Sequence, residues 1–132
     1  MAPARIVIAA AALALAAPLA SAQSIQAQAE AKVKAMTAEL QTHSATARAE
    51  GAAAGQAMEA GDKATACTHY QTSRAETQKI LDLLPQQREQ IFIASPDTAT
   101  ALGRANKVDE MMGTWLGLAS QLDGRITLAC GS

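Results

Sequence analysis

Cys67, His69 and Tyr70 fall together in the stretch ACTHYQ, in a chain with two cysteines, two histidines and one tyrosine. A thiol beside an imidazole raises three chemistries: a nucleophilic cysteine, a redox dithiol, and half of a metal or haem site. Spacing argues against each. Residues two apart on a helix point about 200° apart, because each step turns about 100°. His69 therefore cannot activate Cys67, and it reads as a solvated or rim side chain beside Tyr70. A redox dithiol shows C-x-x-C and a c-type haem C-x-x-C-H. This chain has C-x-H.

The second histidine, His43, falls on an apolar seam, with Glu39 four residues before it as a hydrogen-bond partner. Imidazole and thioether together suit a soft metal such as copper(I), which makes His43 and Met36 candidate ligands, with Met58, Met111 and Met112 as further donors. Met36 and His43 are two turns apart, about 10 Å along a helix, so they cannot hold one ion without ligands from neighbouring helices. Methionine as core filler is the plainer assignment. A haem site lacks a convincing axial pair, because the third helix offers no histidine. The carboxylates alternate with bases as on a solvated face, and no triad, phosphate loop or zinc spacing is present. The expectation is no enzyme and no cofactor.

The elements that hold these residues follow from composition. Residues 1–22 read as a cleavable secretory signal: Arg5, an apolar run from Ile6 to Ala17, Pro18, then Ala20-Ser21-Ala22 before Gln23. The run is about 12 residues, short for a bilayer of about 30 Å. Residues 23–132 form one domain with 10 basic and 12 acidic residues, interspersed, which lacks the clustered Lys and Arg of a nucleic-acid surface. Alanine is abundant and aromatics number three (Tyr70, Phe92, Trp115), which favours helix and a thin core.

Three helical stretches are expected. The first runs from Ser24 to about Ala60 with Val33, Met36, Leu40, His43, Ala47 and Ala54 at 3–4 spacing, and Gly51 marks a place where it can break. Gly61-Asp62 reads as a stop and a new cap. The second starts near Lys63 and carries Ala66, Tyr70, Thr77, Leu81 and Leu84 on one side. Pro85 should end or kink it, although the residues to Ala94 remain helix-compatible. Ser95-Pro96-Asp97 reads as a start, with Ser95 capping and Pro96 in the first turn. The third carries a seam of fours and threes from Ala101 through Ala105, Val108, Met112, Trp115, Ala119, Leu122 and Ile126 to Ala129. Short turns between helices of about 50 Å predict an all-α, up-down-up three-helix antiparallel bundle, or four helices if the first breaks near Gly51.

That topology brings Cys67, early in the second helix, and Cys130, at the end of the third, to one end of the bundle. In an oxidising compartment the pair predicts a structural disulfide that closes a loop of 63 residues, worth about 4 kcal/mol. One further row is unusual. Gly113, Gly117, Ser120 and Gly124 share a face of the third helix opposite the Trp115 seam. Small residues there suit close approach of another backbone, either Gly51 and Gly55 of the first helix or a partner surface; the third alternative is an incidental row. The functional expectation is a periplasmic or secreted, non-enzymatic helical protein acting by protein contact, as scaffold, envelope adaptor or holdase-like binder. Its partner is unknown, self-association is one form of contact, and the mature chain carries no membrane span. The alternative is a soft-metal or small-ligand carrier using His43 and the methionines.

Overall fold

The computed structural model describes residues 13–131, with side-chain surroundings from Ser21 on. They form three helices and two turns: α1 Leu13–Glu59, α2 Lys63–Ala94 and α3 Thr98–Cys130. The chain runs up, down and up, as the seam pattern predicts. Residues 1–12 of the expected leader lie outside the described residues, and Leu13 to Ala22 continue into α1. Ser21 to Ile25 are exposed and the core begins at Ala29, so cleavage before Gln23 would leave the described core whole. Among the described residues no helix is long and apolar enough to cross a membrane.

The α1–α2 turn forms as the sequence indicates. Gly61 takes φ +78°, its amide donates to the Met58 carbonyl, and the Asp62 amide donates to Ala57. This is the paired closure that a left-handed glycine allows. Asp62 then caps α2 by accepting from the Thr65 amide at 3.0 Å.

Helix α1 does not break at Gly51, so the four-helix alternative is ruled out. Ala47 and Ala54, on either side of Gly51, are both buried. The buried Ser73 hydroxyl of α2 donates to the Ala47 carbonyl at 2.8 Å. Tertiary packing on both sides outweighs a propensity cost of about 1 kcal/mol. Pro85 likewise neither ends nor interrupts the assignment of α2 as one helix. Leu84 and Ile91 are buried, and at about 1.5–3 kcal/mol each their burial offsets a proline penalty of about 3 kcal/mol.

The second turn differs from expectation. Ser95 closes α2 rather than opening α3: its hydroxyl and amide both donate to the Ile91 carbonyl, at 2.6 and 3.0 Å. Asp97 caps α3, accepting from the Thr100 amide at 2.7 Å, and Pro96 precedes the cap. The side chain that follows the proline is the one free to bend onto the first turn.

Helix α2 packs along both neighbours, whereas α1 and α3 meet only sparsely. One core cluster joins Val33 and Leu40 of α1, Ile80 and Leu84 of α2, and Val108 and Trp115 of α3. At the other end the buried residues are small: Ala54, Ala66 and Ala129 around Tyr70. Alanines bury little apolar area. There the Cys67–Cys130 disulfide ties α2 to α3, with Cα atoms 4.9 Å apart.

Candidate interaction groove between α1 and α3

The residues first considered for chemistry are committed elsewhere. Cys67 is in the disulfide. His69 reaches α1, where its Nδ1 lies 2.5 Å from Glu50 Oε2, so it is a paired, half-buried rim residue. Tyr70 is buried, with the Arg125 guanidinium 5.9 Å from its ring centre. His43 pairs with Glu76 of α2 at 2.5 Å, not with Glu39. The expected neighbour on its own helix yields to a carboxylate that the packed partner helix delivers to the ring.

The two imidazole–carboxylate pairs mirror each other across the α1–α2 interface. One runs from α1 to α2 (His43 to Glu76), and the other from α2 to α1 (His69 to Glu50). The Ser73–Ala47 hydrogen bond lies between them in sequence on both helices. Lys79 also donates to Glu76, at 2.7 Å. That bond first, and the His43 bond second, hold the Glu76 carboxyl below the ordinary glutamate range. Among the described residues no three His, Cys, Asp or Glu side chains gather as a metal site. Met36 remains on α1, two turns before His43, and Met112 packs against the core.

The glycine row does not pack against α1. Side-chain carbons built at Gly113, Gly117 and Gly124 would meet nothing within 4 Å among the described residues, and Ser120 is exposed. The internal close approach with Gly51 and Gly55 is therefore overturned. Gly51 faces α2 instead, with the Ser73 hydroxyl oxygen 3.6 Å from where its Cβ would stand. Turning Trp115 inward directs the row about 160–200° away from it, to the outside of the bundle.

The sparse meeting of α1 and α3 has its own consequence. Between them runs an open trough made of three adjoining hollows of about 170, 580 and 420 Å3, all bordered by Arg48. Trp115 and Leu118 line the first two, and Met111 continues the apolar lining into the third. Met111 and Leu118 are exposed (40% and 38%), large areas to leave in water in a chain with so few bulky residues. Four charged residues line the trough: Arg48, Lys107, Glu110 and Arg125. Among the described residues no ion pair engages any of the three cations.

At the Met111 end the trough reaches Gln87 of α2. Gln87 is buried, and its amide nitrogen donates to Thr37 Oγ1 at 2.9 Å. Its Oε1 has no hydrogen-bond partner among the described residues.

Sequence reasoning did not single out this face, yet the signal was there. Lys107, Met111, Leu118 and Arg125 fall at spacings of 4, 7 and 7, a second stripe beside the Trp115 seam. No protein-family model, no curated protein and no solved structure matches this chain.

Proposed function

We propose that this chain is an exported, non-enzymatic helical protein that acts by contact, with the α1–α3 trough as its contact surface. The observation that carries the proposal is the run of Met111, Trp115 and Leu118 along an open groove bordered by cations that no ion pair engages among the described residues. Aromatic, methionine and arginine side chains are the types enriched where protein surfaces bind. Scaffold, envelope adaptor and holdase-like binder are the roles such a surface serves. The leader-like residues 1–22 and the disulfide support a periplasmic or secreted location.

A soft-metal or small-ligand carrier built on His43 and Met36 has less support, because Glu76 engages His43 Nδ1. Catalysis has less again, since the histidines are in carboxylate pairs and the cysteines in a disulfide.

The test is site-specific photocrosslinking of the exported protein in its native compartment. A crosslinker at Leu118 is expected to give discrete adducts, and one at Ser120, on the outward glycine face, none. Adducts from Ser120 alone would overturn the reading and move the contact surface to the glycine row.

A further inference from the structure

We infer that the occupant of the α1–α3 trough is an acidic amphipathic helix, seated as the fourth helix of a bundle; this rests on the trough being the contact surface. Three observations on the groove select that occupant.

The first is shape. The trough runs along α1 from Thr37 to Gly51 and along α3 from Lys107 to Arg125. At 1.5 Å per residue these stretches are about 21 and 27 Å long. Two nearly parallel helices that flank a third, with a lengthwise groove between them, leave the position that the fourth member of a four-helix bundle takes. A helix of about 14–18 residues fills that length. The hollows are open clefts, whereas sites for small molecules enclose most of their ligand.

The second is lining. Met111, Trp115, Leu118 and Leu122 supply knobs along one wall at helical spacing, and Leu40 and Ala47 face them from α1. Such a row receives side chains at i, i+3, i+4 and i+7 of an apolar helix face.

The third is charge, which also excludes the simplest competitor. Residues 23–132 hold more acids than bases, yet three of the four charged residues along the trough are basic. Lys107 has Glu110 one turn away on the same helix. Arg48 on α1 and Arg125 on α3 border the same hollow from opposite walls, with no carboxylate lining it among the described residues. A two-fold pairing of two copies through this face would set two faces of net positive charge against each other. Glutamates or aspartates flanking the apolar face of a partner helix would meet them with opposite charge.

Trp115 is the only tryptophan and borders two of the hollows, so its emission reports occupancy. The full-length oxidised protein is titrated with a designed 18-residue helical peptide without Trp or Tyr, carrying leucines at 3–4 spacing flanked by glutamates. A counterpart carries lysine for each glutamate. The expected result is a saturable change in Trp115 emission with the glutamate peptide and at least tenfold weaker binding of the lysine peptide. The double variant Arg48→Glu, Arg125→Glu should reverse that preference, and Leu118→Asp should abolish binding, each with helicity intact by circular dichroism.

No response to the glutamate peptide, or equal response to both, overturns the inference. So does a Trp115 shift on phosphatidylglycerol vesicles without one on the peptide, which would assign the trough to a membrane surface. Concentration-dependent self-association lost in Leu118→Asp overturns it in favour of a second copy. Crosslinks from Leu118 that persist while both peptides are silent sink the acidic helix alone, and loss of those crosslinks as well sinks the contact surface.

Discussion

Cys67 and Cys130, 63 residues apart in sequence, stand with their Cα atoms 4.9 Å apart at the end of the bundle where the buried residues are mostly alanine. A crosslink of that loop length restricts the unfolded chain by about 4 kcal/mol. Against a usual net stability of about 5–15 kcal/mol this is a large share. The double variant Cys67→Ser, Cys130→Ser should therefore lose about 4 kcal/mol in urea denaturation at unchanged helicity. A loss under about 1 kcal/mol would mean that the loop-closure account is wrong here.

The outward glycines give a second prediction. Alanine at Gly113, Gly117 or Gly124 would meet nothing within 4 Å among the described residues, and none of the three has a positive φ. Each substitution should stabilise α3 by up to about 1 kcal/mol. Thermal denaturation of the triple variant checks this. A drop in melting temperature would show that another backbone rests on the row.

Acid sensitivity should be traceable in part to Glu76. Lys79, and after it His43, hold its carboxyl below the ordinary value of 4.5. The folded state thus prefers the ionised form. The stability it contributes is complete above that ordinary value and is lost as pH falls through 4.5 toward the lower folded value. Asp62 and Asp97, lowered by bonds from Thr65 and Thr100, titrate over the same acid range. The informative quantity is therefore the stability difference between the protein and Glu76→Gln. It should shrink as pH falls through 4.5. A gap unchanged down to about pH 3 would remove Glu76 from the acid transition.

Gln87 makes the fourth case. Its buried Oε1 has no partner among the described residues, and Thr37 has its own bond to the Val33 carbonyl at 2.8 Å that does not depend on Gln87. Gln87→Leu removes an unsatisfied acceptor and should be neutral or stabilising by about 1 kcal/mol. Destabilisation above about 2 kcal/mol, read by urea denaturation, would mean that this oxygen is bonded in solution.

Local signals in the sequence were strong where one element decides the outcome. The α3 seam needed only its own periodicity, and Gly61-Asp62 needed only the φ freedom of glycine and a capping carboxylate. The disulfide followed from turn lengths and from the compartment that residues 1–22 led one to expect. What escaped depended on a neighbour. Gly51 stays helical because α2 covers both sides of it, and Pro85 stays in a helix because Leu84 and Ile91 are anchored below. Glu76 reaches His43 from 33 residues away, which no i,i+4 rule anticipates. Ser95 was misassigned because a hydroxyl before proline fits the end of one helix as well as the start of the next. The trough was hidden for a different reason. Periodicity marks which stripe is apolar, but not which of two adjacent stripes a third helix leaves uncovered.

The covalent frame is unequal. The Ser95–Asp97 link joins α2 and α3 at one end and the sulfur bridge joins them at the other, so these two rods form a closed ring. Helix α1 has a covalent link to that ring only at its Gly61 end, and along its length it is held by non-covalent ties such as His43–Glu76, Ser73–Ala47 and His69–Glu50. Opening the trough on its α1 side therefore requires those non-covalent ties to give, whereas its α3 side is anchored to α2 by a covalent link at each end.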